Sequence, residues 1–143
     1  MRRIPRTHRR SRLGAAALEF AVVLPVLILV VLGCIDFGRV AHSDVTLSNA
    51  VGAGTAYAAT HRVTPETHAS WSAAIREIVL EEMQNLREFD ESRFEIASDF
   101  HHDPGGDVVV VIEATYPFET AVVWPGLPHA FDLRQRVVAM QYR

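Results

Sequence analysis

From Leu13 to Ile35 this chain runs for 23 residues with one charged side chain, Glu19. No other feature restricts its fold as much. As a helix rising about 1.5 Å per residue, the run is about 34 Å long, against a bilayer hydrocarbon core of about 30 Å. It is long enough to span a membrane. Arg9, Arg10 and Arg12 stand on its leading side, and Asp36, Arg39 and Asp44 on its trailing side. Because cytoplasmic flanks carry the excess of arginine, this asymmetry predicts a cytoplasmic N-terminus and a C-terminal domain outside the membrane. Pro25 falls in the middle of the run, removes one backbone hydrogen bond and predicts a bend there.

The acid is the anomaly. Glu19 lies about 9 Å into the helix, and a charge at the centre of an inserted helix costs about 2.5–3.5 kcal/mol, less towards an end. One reading has Glu19 reaching back to the interface or holding a proton. The other has it kept for a partner charge.

Composition narrows the function classes. Arg2, Arg3, Arg6, Arg9, Arg10 and Arg12 give six positive charges ahead of Leu13, with no acid among them. Beyond residue 40 there are 15 acids against 7 arginines, and lysine is absent throughout. An acidic body of this kind argues against nucleic-acid binding, which needs cations spread along a phosphate track. Cys34 is the only cysteine, so neither an internal disulfide nor a CxxC or four-cysteine zinc site exists.

The residues around Glu19 carry a specific pattern. Gly14-Ala15-Ala16-Ala17-Leu18-Glu19-Phe20 resembles the processing site of type IV pilin-like proteins. There a basic leader ends in glycine, the cut follows it, and glutamate is fifth in the mature chain. Counted from Ala15, Glu19 is fifth, and Phe20 completes the Glu-aromatic pair of the tight-adherence branch. Residues 14–39, "GAAALEFAVVLPVLILVVLGCIDFGR", resemble the TadE-like family of pseudopilins. That resemblance implies a structural, non-enzymatic subunit of a pilus-building machine in the inner membrane. Its implied partners are a prepilin peptidase, other pseudopilins, the major pilin, and the platform and ATPase components. It also implies cleavage between Gly14 and Ala15, and pairing of Glu19 with the Ala15 amine of a neighbour. Physical chemistry agrees: a cation and a carboxylate that are each costly in low dielectric stabilise one another there.

Two other readings share much of this sequence. An uncut single-pass protein would present its outer domain as a binding module. A lipoprotein would be cut and lipidated at Cys34 in "VLGC", but Leu32 suits that motif poorly and Glu19 would interrupt the apolar region. The run also exceeds the 7–15 residues of a signal-peptide core.

Four segments follow: a basic cytoplasmic leader over 1–14, a transmembrane helix over 15–35, an amphipathic continuation over 36–62, and an extracytoplasmic domain over 63–143. The expected fold is α+β: one long helix from about 15 to 60, a second helix, and about three antiparallel strands. Val40, Asp44/Val45, Leu47, Val51 and Tyr57 mark the apolar side of the outer half of the first helix. Gly52 and Gly54 point to close packing or a bend. Thr64-Pro65-Glu66 reads as N-cap, first-turn proline and acid, opening a helix to about residue 90 through Trp71, Ile75, Val79, Met83, Leu86 and Phe89. Strands are expected at 93–100, 108–118 and 131–143, with "HHDPGGD" (101–107) as a turn and Pro117 as an end or bulge of the middle strand. His101, His102, Asp103 and His129 do not form a metal-ligand pattern, since adjacent histidines in extended chain face opposite ways. No G-x-S-x-G, phosphate loop or Cys/His pair is present, so no catalytic residue and no cofactor is assigned.

Overall fold

The computed structural model describes residues 9–141, with side chains described from Gly14 onward; the leader arginines Arg2, Arg3 and Arg6 lie outside the described residues. The element order is α1 (Arg9–Thr60), α2 (His68–Met83), a 3-10 turn (Glu91–Arg93), β1 (Glu95–His102), β2 (Val108–Glu119) and β3 (Ala130–Met140). The fold is α+β, as its patterning predicts. The chain divides into two compact units, Met1–Gly38 and Arg39–Arg143.

In the first unit, α1 continues unbroken through Pro25. Among the described residues nothing covers its apolar surface: Leu18, Phe20 and every residue from Val22 to Val31 are exposed. A single helix covered in aliphatic side chains satisfies its backbone internally but leaves its surface to lipid or to other helices. Of the described helices, it is the one long and apolar enough to cross a membrane.

In the second unit, the outer half of α1 supplies one wall of the core. Leu47, Ala50, Val51, Gly54 and Ala58 are buried at intervals of three and four residues. Val45, expected on that side, points outward, because it stands two residues from Leu47, about 200° around the helix. At Gly54 a Cβ would come within 2.8 Å of Val79 Cγ2 and 3.2 Å of Ile75 Cγ2, both fully buried on α2. At Gly52 a Cβ would meet nothing within 4 Å. The two glycines therefore differ: Gly54 sets how closely the helices approach, and Gly52 does not.

The start of α2 is built by two threonines. Thr67 N–H donates to Thr64 Oγ1 (3.3 Å) while Thr64 N–H donates to Thr67 Oγ1 (3.0 Å), a reciprocal cap ahead of the first helical residue, His68. The helix stops at Met83, short of the expected 90. Bonds from Asn85 N to Glu82 O, Leu86 N to Met83 O and Phe89 N to Leu86 O continue the chain as successive tight turns. Leu86 and Phe89 still reach the core, since a repeat of three brings side chains back to the same side as a repeat of 3.6 does.

Asp90 caps the 3-10 turn. Ser92 donates both Oγ–H (2.6 Å) and N–H (3.0 Å) to Asp90 Oδ1. The side-chain bond, then the backbone bond, lowers the Asp90 pKa below the ordinary carboxylate value. A lowered folded-state pKa stabilises the fold above the unfolded value and loses that contribution as pH falls through the folded one. The urea midpoint advantage of the wild type over Asp90→Asn is therefore expected to be larger at pH 7 than at an acid pH below the ordinary carboxylate range. An equal difference at both pH values would refute the cap's charge dependence. Asp90 is fully exposed, so the effect is small.

The sheet is an antiparallel meander ordered β1-β2-β3. Val110, Ile112, Ala114, Tyr116 and Phe118 of β2 face the helices, joined by Phe94 and Leu133. His101 and His102 belong to β1, and the turn is confined to Asp103–Asp107, with Gly106 at φ +83° and Asp107 N–H donating to Asp103 Oδ1 (2.8 Å). Pro117 neither ends nor bulges β2, which stays in register with β3 through Glu119. The last β1 pair is Glu95 with Thr115, so Pro117 faces a side from which β1 has gone and its missing N–H costs no ladder bond. Trp124-Pro125-Gly126-Leu127 closes a turn in which Leu127 N–H donates to Trp124 O (3.2 Å) and Gly126 has φ +81°, the glycine position of a type II turn.

Candidate processing and assembly segment

Gly14, Ala15, Glu19 and Phe20 all lie on α1 with exposed side chains; Phe20 is 59% exposed. A Cβ at Gly14 would meet nothing within 4 Å. Glycine costs about 1 kcal/mol relative to alanine within a helix, and nothing packed against Gly14 explains it. Gly38 and Gly52 are equally open, so openness alone does not set Gly14 apart. What distinguishes Gly14 is its place, between Arg12 and the start of the apolar run. Arg9, Arg10 and Arg12 are on the first turns of α1; their side chains are outside those described.

Ala15 and Glu19 are four residues apart and share one face of α1. Among the described residues Glu19 has no hydrogen-bond or ion-pair partner. Were the chain to begin at Ala15, Glu19 would lie one turn from a new α-amine and near the positive end of the helix dipole. The arrangement offers a carboxylate on an apolar surface and a potential cation on the same face. Among the described residues no group of three or more His, Cys, Asp and Glu side chains comes together. His129 is occupied locally, its Nδ1 lying 3.0 Å from Thr120 Oγ1.

The charges trailing the apolar run have structural partners that local sequence does not reveal. Asp36 is buried, 5% exposed, and engaged. Arg39 Nη2 donates to Glu88 Oε2 (2.8 Å), its Nη1 donates to Glu119 O (3.4 Å), and its guanidinium sits 5.3 Å from the Phe118 ring centre. Asp44 Oδ1 accepts from Gln135 Nε2 (3.1 Å). Arg39 and Asp44 therefore tie α1 to the sheet and to the end of α2's connection, a role that their reading as flank charges misses. Contacts spanning 49, 80 and 91 residues leave no periodic trace. Cys34 is exposed and unpaired with any other cysteine.

No curated protein and no solved structure matches this chain. A protein-family comparison does match, and it covers the residues described above. The family described as TadE-like protein aligns with residues 14–55, from the glycine before Ala15 to Thr55 in the buried stripe of α1; over that segment the chain is similar to that family.

Proposed function

We propose that this chain is a TadE-like pseudopilin, a membrane-anchored structural subunit of a tight-adherence pilus system, cut between Gly14 and Ala15 by a prepilin peptidase. The observation that carries the reading is Glu19. It is an exposed acid inside an apolar, membrane-length helix, fifth after an unpacked glycine, with no partner in its own chain among the described residues. Cleavage supplies what the acid lacks. The Ala15 amine of a neighbouring subunit pairs with Glu19, and the pair sets the stagger between adjacent helices.

In this reading Arg9, Arg10 and Arg12 hold the scissile bond at the cytoplasmic face of the inner membrane. Pro25 provides a bend within the bilayer, and the domain from Arg39 onward faces the periplasm or exterior. The partners are the peptidase, other pseudopilins, the major pilin and the platform proteins.

The deciding experiment is the intact mass and N-terminal residue of the protein extracted from the membranes of its own host. A chain starting at Ala15 is expected. A chain starting at Met1 would refute processing, and one starting at lipidated Cys34 would replace the pilin reading with a lipoprotein. Gly14→Val is expected to leave the long form uncut, because a β-branched side chain now stands on the residue before the bond. Normal trimming of that variant would place the site elsewhere.

A further inference from the structure

The two edges of the sheet differ in degree. At β1 two of the outward backbone groups are taken up locally: Phe100 N–H donates to Asp99 Oδ1 (2.8 Å), and the His68 ring donates from Nε2 to Ser98 O (3.2 Å). At β3 none is. Gln141 N–H donates to Val108 O and Thr120 N–H donates to His129 O, so the odd-numbered positions of this strand face β2. Residues 130 to 140 pair with β2 without a bulge. Alternation then turns the N–H and C=O groups of Ala130, Asp132, Arg134, Arg136, Val138 and Met140 away from the sheet. No hydrogen bond to these backbone groups occurs among the described residues. Their side chains are exposed as well.

β3 is eleven residues long, with no proline and no bulge, and the charges on its exposed face, Asp132, Arg134 and Arg136, are of both signs. We propose that a second copy of this chain adds to β3, antiparallel, about a two-fold axis at Leu133.

The register follows from charge. Outward-facing residues pair only with outward-facing residues, so the axis must pass through a residue rather than between two. An axis at Asp132 sets aspartate against aspartate. Axes at Arg134, Gln135 or Arg136 set arginine against arginine. An axis at Leu133 sets Asp132 opposite Arg134 of the second copy, and by symmetry Arg134 opposite its Asp132. An axis at Val137 creates no ionic pair. Asp132 and Arg134 already stand together on the exposed face, 3.3 Å apart. Strand addition exchanges one such pair within each chain for two pairs between chains, so their number is kept. Arg136 is directly opposite Glu113 on β2, so it is offset by an acid within its own sheet.

The test uses the full chain in detergent micelles, with mass measured over a dilution series and amide hydrogen exchange read at β3. Concentration-dependent dimers are expected, with the Asp132 and Arg134 amides protected in the dimer and open in the monomer. Asp132→Arg places like charges opposite one another twice and is expected to weaken dimers about tenfold or more. The double variant Asp132→Arg/Arg134→Asp restores the complementarity and is expected to return affinity to near the wild-type value. Both positions are exposed, so the fold is expected to be kept, and circular dichroism checks it. A single-chain mass at every concentration would overturn the proposal. So would dimers whose outward β3 amides exchange freely, or a double variant as weak as the single one.

Discussion

Gly54→Leu is expected to unfold the domain that begins at Arg39, whereas Gly52→Ala, two residues away, is expected to stabilise it by about 1 kcal/mol. The contrast rests on one distance. A β-carbon at Gly54 comes 2.8 Å from Val79 Cγ2, on a fully buried β-branched residue with little rotational freedom. For Gly54→Ala, overpacking of about 1–3 kcal/mol opposes the gain of about 1 kcal/mol in helix propensity, leaving a net loss of up to about 2 kcal/mol. Leucine adds three more carbons and exceeds this. In a small domain whose total stability is about 5–15 kcal/mol, a loss well beyond 3 kcal/mol is severe. Val79→Ala opens a cavity alone, but in the Gly54→Ala background it relieves the collision. The two substitutions are therefore expected to cost less together than their separate effects summed. Urea denaturation followed by the fluorescence of Trp71 and Trp124 measures all of these. A Gly54→Leu variant with the wild-type midpoint would show that α1 and α2 are not packed as described.

Glu19→Val is expected to leave membrane insertion intact and to remove the chain from its assembly. Insertion does not suffer, because the substitution removes a charge that costs up to about 2.5–3.5 kcal/mol in the bilayer. On the proposed pairing, assembly does, because the neighbour's Ala15 amine would then lie unpaired in low dielectric. Breaking a buried ion pair by deleting one partner costs about 3–5 kcal/mol, a factor of over about a hundred in an equilibrium constant. The measurement is the fraction of processed chain that copurifies with pilus components from the native host, compared between wild type, Glu19→Val and Glu19→Gln. Equal recovery of all three would mean that Glu19 reaches the interface and pairs with nothing. Glutamine keeps the hydrogen bond and loses the charge, so its recovery is expected to fall between the other two.

The family resemblance of the first helix, matched over residues 14–55, was legible in the sequence because Gly14 and Glu19 both contradict their surroundings. A glycine costs helix stability and an acid costs insertion, so each demands a reason outside the helix itself. The strands were legible for a simpler reason: β-branched runs are separated by Pro-Gly turns. Three things were hidden. The end of α2 was masked because Leu86 and Phe89 keep their inward positions through tight turns as they would in a helix. The packing side of outer α1 was misjudged at Val45, which stands about 200° around the helix from Leu47: Leu47 and Val51 mark the buried stripe, but Ala50, Gly54 and Ala58, which complete it, give pattern reading little to follow. Pro117 was expected to break β2 because the extent of β1, which decides whether its N–H is needed, is not written near it.

The open β3 edge bears on how subunits can accumulate. Filaments require a contact that leaves another copy of itself free at each step, and strand pairing in many proteins does so without limit. A contact about a two-fold axis is of the other kind: it uses the same strand of both copies and closes on itself. Recruitment through β3 then halts at two, and any longer array must be propagated by other surfaces of the chain.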